Sequence, residues 1–214
     1  MNCKQALVLC ITVAPMLAVA EELRFQVTNA NNNQPLGNAV IVLPLPADDA
    51  VTDARMVQKN RQFDPHVLVV PTGTDVAFPN QDNTQHHVYS FSPAKRFEIE
   101  LYAGVPEAPV NFGTTGVVEL GCNIHDQMQA FIVVTDQHYG VTADSGELAL
   151  SWPDERPLPG QIRVWHPRLA DNTALMDMAV DVDGDRPVSL SLDVRPESET
   201  DSSLERLQQR FREL

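Results

Sequence analysis

The residues with the strongest chemical character lie in two short motifs. Cys122, His125 and Met128 follow one another at the spacing Cys-x2-His-x2-Met, and a turn rich in Asn and Asp ends upstream at His86 and His87. One thiolate, two imidazoles and one thioether form the trigonal ligand set with a weak axial ligand that suits copper in electron transfer. The soft sulfur ligands disfavour magnesium, calcium and manganese. The two motifs therefore predict a mononuclear copper site.

Both motifs lie among segments typical of β-strands. Short runs rich in β-branched and aromatic residues recur from residue 23 to residue 195, and turn residues separate them. The histidine pair precedes the run Val88-Tyr89-Ser90-Phe91. The Cys122 motif lies between a run that ends at Leu120 and one that starts near Ala130. Because no helical pattern intervenes, we predict an all-β sandwich that holds the ligands rigidly.

Changes in composition divide the chain into five parts. Residues 1–20 have a charged start, an apolar centre and the small-x-small sequence Ala18-Val19-Ala20, which predicts a secretory signal peptide and a periplasmic protein without a membrane span after cleavage. The remaining parts are an N-terminal β segment (21–51), a copper-binding region (52–136), a C-terminal β region (137–196), and a polar linker with a short amphipathic helix (197–214).

The cysteine count and the charge narrow the possible functions. Cleavage of the signal would leave only Cys122, and a lone cysteine in an exported domain needs a reason, such as metal binding. The formal net charge of −14 argues against nucleic acid as a partner and favours a basic redox protein. The apolar stripe of the C-terminal helix offers a contact for a homo-oligomer; it consists of Leu204, Leu207, Phe211 and Leu214.

Residues 56–134 resemble the cupredoxins. The resemblance rests on residues 80–88 (NQDNTQHHV) and residues 116–128 (GVVELGCNIHDQM), whose short ligand loop is similar to that of amicyanin. The whole chain looks like the cupredoxin-domain proteins labelled "methylamine utilization protein". The resemblance implies a Greek-key β-sandwich, one copper ion of type 1-like character and a role as an electron carrier, not as an enzyme.

By this resemblance His86 is the first imidazole ligand, Cys122 the thiolate, His125 the second imidazole and Met128 the axial ligand. Family members carry Asn directly after the first histidine, whereas this chain has His87. Two alternatives therefore stay open. His87 replaces His86 as a ligand, or it adds a ligand and makes a non-blue site.

Other residues near the motifs are not assigned as ligands. Strand parity places Glu119 on the face opposite Cys122, so we expect it to point away from the metal into solvent. His66 is expected at the surface or behind the site, and neither His138 nor His166 is expected to bind the metal.

Competing functions remain at this stage. One alternative is a copper carrier or resistance protein with a non-blue site. A second is a copper enzyme with an open coordination position, and a third is a metal-free interaction module in which Cys122 is a core thiol. Zinc would accept nitrogen and sulfur ligands but rarely uses a thioether.

The segments that flank the copper region resemble a second fold. Residues 23–43 and 141–166 look like the two halves of a carboxypeptidase-regulatory-like (transthyretin-like) β-sandwich. We therefore predict a flanking sandwich that the cupredoxin region splits. The alternative is a single enlarged cupredoxin with extra edge strands.

Overall fold

The computed structural model describes residues 21–47, 53–106, 108–125, 127–153, 156–182 and 186–196, without the side chain of Glu21. These residues form an all-β fold, as predicted, and the signal peptide and C-terminal helix expected from the sequence lie outside them. The strands are β1 (Glu21–Asn29), β2 (Val40–Pro46), β3 (Ala54–Arg55), β4 (Val57–Lys59), β5 (Gln62–Asp64), β6 (Val67–Pro71), β7 (Thr74–Ala77), β8 (His86–Ser90), β9 (Phe97–Tyr102), β10 (Val110–Phe112), β11 (Gly116–Cys122), β12 (Gln129–Thr135), β13 (Gln137–Val141), β14 (Glu147–Trp152), β15 (Gln161–Trp165), β16 (Met176–Ala179) and β17 (Val188–Leu192).

The copper region contains β3–β12. Its largest sheet has five strands in the order β6-β12-β11-β8-β9, and a three-stranded sheet has the order β10-β7-β3. A small hairpin of β4 and β5 lies beside them. Neighbouring strands in the large sheet are antiparallel except for β6 and β12, which run parallel. This sheet places the strand that starts at His86 directly beside the strand that ends at Cys122.

The flanking sandwich is built from both ends of the described chain. One sheet has the order β14-β1-β17 and the other the order β13-β2-β15-β16. Thus β1 and β2 pair only with strands that follow the copper region, and the split sandwich predicted from the sequence is confirmed. The domain limits at residues 51 and 136 stay predictions, although β12 ends at Thr135 and β13 begins at Gln137.

The strand β12 of the five-stranded sheet is covered on both faces, which explains its nearly continuous apolar sequence. All seven residues of β12 are buried. Ile132 and Val134 belong to the hydrophobic core of the copper region, whereas Phe131 and Val133 belong to the core of the flanking sandwich. The ring of Phe131 packs edge-on against Trp165 of β15, with 5.1 Å between centroids. The two regions therefore share one sheet as a common wall.

Removing the Phe131 ring tests whether this shared wall couples the two regions. Phe131→Ala should lower the free energy of unfolding by about 3–5 kcal/mol, because it leaves a cavity between two packed layers. Chemical denaturation with near-ultraviolet circular dichroism measures the change. Leu101→Ala on β9, where the side chain is 54% exposed, is the control and should change stability by less than about 0.5 kcal/mol. A loss confined to one of two separate transitions would contradict the coupling.

His166 lies where the flanking sandwich meets the copper region. It is 3% exposed, its Nδ1 accepts the Arg168 backbone N–H at 3.1 Å, and its Nε2–H donates to the Gly37 carbonyl at 3.2 Å. Burial, followed by the positive charge of Arg168, lowers the pKa of His166 from 6.5 to about 4. Burial also lowers the pKa of His66, which lines the same cleft. The folded protein therefore favours a neutral imidazole at His166.

This preference predicts a loss of stability in acid. Between pH 6.5 and pH 4 the unfolded chain takes up a proton at His166 while the folded chain does not, so the free energy of unfolding falls with falling pH, by about 3 kcal/mol from this residue. Denaturation midpoints measured across this range should fall more steeply for the unmodified protein than for His166→Gln, which does not titrate. Parallel curves for the two proteins would refute the assignment.

Candidate metal centre

The loop between β11 and β12 brings three of the predicted ligands together. The strand β11 ends at Cys122, and β12 begins at Gln129, directly after Met128. The backbone N–H of Cys122 donates to the Met128 carbonyl at 3.2 Å, and the N–H of Met128 donates to the His125 carbonyl at 3.1 Å. These two bonds close the loop as a tight turn and hold its three sulfur- and nitrogen-bearing side chains on one end of the sheet.

The strand β8 supplies the fourth predicted ligand. Val88 lies opposite Cys122 in the antiparallel ladder, and the N–H of Asn123 extends the ladder to the His87 carbonyl at 3.2 Å. This register brings His86 to the loop. Its Nδ1 atom lies 3.6 Å from the Sγ of Cys122 and 3.2 Å from the Nδ1 of His125, whose own distance to the sulfur is 3.9 Å. The three atoms form a compact triangle.

The triangle fits a metal ion of the predicted kind. Bonds of about 2.0–2.3 Å to nitrogen and sulfur in a trigonal plane separate the ligand atoms by roughly 3.5–3.8 Å. The three observed separations lie within a few tenths of an ångström of that range. His86, Cys122 and His125 are also the only group of three His, Cys, Asp or Glu residues with such mutual distances among the described residues.

Burial distinguishes the members of the site. His86 and Met128 are fully buried and Cys122 is 1% exposed, whereas His125 is only partly buried. Met128 and Cys122 pack in the same hydrophobic core. Among the three residues of the triangle, His125 is the one that reaches solvent. The exposed side chain of Ile124 precedes it in the loop.

The carboxylate of Asp82, which was not predicted from the sequence, contacts His86. The Oδ2 atom of Asp82 lies 2.9 Å from the Nε2 of His86, on the side of the ring opposite the triangle. Burial opposes ionisation of Asp82, but hydrogen bonds from the Arg61 backbone, His86 and the Asn60 backbone outweigh it and hold the pKa of this carboxyl below its usual value. Asp82 is therefore an anion at neutral pH and a fixed acceptor for His86.

The hairpin of β4 and β5 positions this carboxylate. Asn60 and Arg61 form its two-residue turn with φ angles of 56° and 58°, the left-handed pair required by a type I′ turn. Their N–H groups donate to the two carboxylate oxygens of Asp82, at 2.6 Å and 2.9 Å. On the other side, the Asp82 N–H donates to the side-chain oxygen of buried Asn80 at 2.9 Å. The carboxylate is thus held from both sides.

His87 lies away from the triangle. Its Nε2 atom is 2.8 Å from a carboxylate oxygen of Glu98 on the neighbouring strand β9. Adjacent residues of a strand point to opposite faces, which explains why His86 and His87 separate. The structure therefore groups His86, not His87, with Cys122 and His125.

Glu119 also lies away from the triangle, as strand parity predicted. Its carboxylate accepts a hydrogen bond from the side chain of buried Gln129, and its backbone N–H donates to Ser92 Oγ at 2.9 Å. Glu119 is partly exposed, so the expectation of a solvated side chain holds in part, and the contact with Gln129 covers some of the carboxylate.

The remaining histidines lie outside the site. His66 donates a hydrogen bond to the backbone of Gln129, the first residue of β12. Its ring packs edge-on against Phe131, with 5.8 Å between centroids. His138 is buried on β13, and His166 is bonded at the junction of the two regions. Within the described ranges, no helix is long and apolar enough to cross a lipid bilayer.

Comparison with known proteins gives structural matches alone. No family model matches the chain. No curated protein matches it.

Among solved structures, the chain is similar to a purple cupredoxin from Nitrosopumilus maritimus (21% identity, 39% of this chain and 100% of that chain, TM-score 0.35). It is also similar to a proline-to-glycine mutant of amicyanin in the reduced Cu(I) form (19%, 46% and 99%, TM-score 0.34). A third match is a Cu-containing nitrite reductase from Thermus scotoductus SA-01 (21%, 47% and 27%, TM-score 0.37). Each of these matches covers less than half of this chain. The group of His86, Cys122 and His125 expected from the resemblance to cupredoxins is present in the structure.

The separation of the two adjacent histidines gives a direct test. After addition of one equivalent of Cu(II), His86→Ala should lose the intense visible absorption of a copper–thiolate bond, because it removes one corner of the triangle. His87→Ala should keep this absorption, because it removes contacts with Glu98 and Tyr89 and no corner of the triangle. Absorption and electron paramagnetic resonance spectra of the two variants measure the difference. The reverse result would make His87 the ligand.

Proposed function

We propose that this protein is a periplasmic one-electron carrier with a single copper ion held by His86, Cys122, His125 and Met128. The observation that carries the proposal is the triangle of two imidazole nitrogens and one sulfur, together with the burial of Met128 in the same core as Cys122. Bound copper would supply the exchange between its +1 and +2 oxidation states. The protein is proposed to supply the geometry and to act as a carrier, not as an enzyme.

The scaffold suits fast electron transfer because it restricts movement of the ligands. Cys122 and His86 lie on adjacent strands of a sheet whose two faces are both packed. The loop bonds of Met128 fix the remaining two side chains to the same frame. A rigid ligand set keeps the same arrangement for both oxidation states, so little free energy is spent on rearrangement when an electron moves.

The route for the electron is proposed to pass through the imidazole of His125. It is the member of the triangle that reaches the surface, and the neighbouring Ile124 is 42% exposed. A partner that contacts this edge would approach the site without displacing a ligand. We propose a redox protein as this partner, and the acidic charge of the chain favours one with a basic surface.

Metal loading tests the proposed function. The protein without residues 1–20, given one equivalent of Cu(II), should show an intense visible charge-transfer band and the narrow copper hyperfine splitting of a type 1 site. Cys122→Ser should lose the band, because the band requires a thiolate. Ser keeps the size of the side chain, so stability measured by denaturation controls for unfolding.

Redox cycling then separates a carrier of electrons from a carrier of copper. The loaded protein should pass through repeated reduction and oxidation in the presence of a Cu(I) chelator and retain its metal. Transfer of copper to the chelator within one cycle would favour copper handling. A weak band in the unmodified protein would favour a non-blue site.

A further inference from the structure

Asp82 makes three hydrogen bonds that use both of its carboxylate oxygens. The backbone N–H groups of Asn60 and Arg61 donate at 2.6 Å and 2.9 Å, and the third partner is the Nε2 of His86 at 2.9 Å. A carboxylate accepts hydrogen bonds and has none to give, so the Nε2 of His86 must carry a proton. The side chain of Asp82 is only 13% exposed, so water competes little for this contact.

The contact with Asp82 leaves the opposite ring nitrogen for the metal. An Nε2 that donates to a carboxylate keeps its proton, so Nδ1 is the nitrogen through which His86 would bind a metal ion. The Nδ1 atom lies 3.6 Å from the Sγ of Cys122 and 3.2 Å from the Nδ1 of His125. With a metal bound at the triangle, Asp82 and His86 would form a carboxylate–histidine–metal arrangement in which the carboxylate sets the orientation of the ring.

We propose that Asp82 is a positioning residue that, through His86, makes the site favour Cu(II) over Cu(I). This inference rests on the proposed copper site and assigns to it a residue that sets its redox preference. A negative charge hydrogen-bonded to the imidazole makes the opposite nitrogen a stronger donor. It also stabilises the more highly charged ion, because the attraction grows with the charge of the metal.

The hairpin makes this effect depend on a distant part of the chain. Asp82 cannot turn away from His86 without breaking the bonds from Asn60 and Arg61, whose left-handed turn directs both N–H groups at it. Asn80 limits movement on the other side, since its side chain accepts the Asp82 N–H and donates to the carbonyls of Thr84 and Tyr102. A purely structural role for Asp82 would hold the loop together without altering the preference between oxidation states.

The test uses Asp82→Asn, which removes the charge while its amide oxygen still accepts from His86. The association constants for Cu(II) and Cu(I), measured by chelator competition, give a ratio that should fall about tenfold in this variant. A tenfold change corresponds to a reduction potential higher by about 59 mV for one electron, which voltammetry measures directly. The matched control is Asp75→Asn on β7, whose carboxylate accepts from Asn111 and contacts no member of the site. It should leave the ratio within twofold of the unmodified protein.

The outcomes separate this inference from the proposed function. If the unmodified protein shows no copper–thiolate band, the proposed function fails. If the band is present but Asp82→Asn leaves the ratio unchanged, or shifts it no more than Asp75→Asn, the assignment of Asp82 alone is overturned.

A metal-free measurement covers the case in which Asp82→Asn does not fold. Nitrogen-15 spectra of the unmodified protein without metal should show a proton on the Nε2 of His86, where it donates to Asp82. A proton found at Nδ1 instead would overturn the assignment of Asp82 independently of any copper measurement.

Discussion

The burial of β12 on both of its faces is the constraint on which the other features depend. Alternate side chains of this strand enter two different cores, so the flanking sandwich and the copper region cannot shift relative to each other without exposing apolar surface. The ligand loop is anchored to the start of this strand, and β11 beside it ends at Cys122. Through β12, the packing of the flanking sandwich therefore contributes to the rigidity of the ligand loop.

Local sequence patterns were sufficient to predict that Cys122, His125 and Met128 lie together between two strands. The spacing of Cys122, His125 and Met128 confines them to one turn, and strand parity separates Glu119 from the thiolate. Parity also separates His86 from His87, but the sequence does not show which of the two faces the loop. That choice depends on the register between β8 and β11, a contact between residues far apart in the chain.

The features that escaped prediction all depend on contacts across the fold. Asp82 lies four residues before His86, yet its role requires the turn at Asn60 and Arg61, in a hairpin whose strands are too short to give a clear pattern. The partial burial of Glu119 likewise involves its contact with Gln129 on the neighbouring strand β12. Neither the direction of a turn's N–H groups nor a side-chain contact between strands can be read from local periodicity.

The split of the flanking sandwich has a consequence for the order of folding. The hydroxyl of Thr142 donates to the carbonyl of Leu36, a contact that closes a loop of 106 residues. Among the described residues, β1 and β2 have no hydrogen-bonded strand partners before β13. Closing so long a loop carries an entropic cost that must be met before its contacts stabilise the chain. The copper region, whose strands pair among themselves, would act as the compact insert that draws these ends together. The copper region would therefore fold before the flanking sandwich, whose two segments it separates in the sequence.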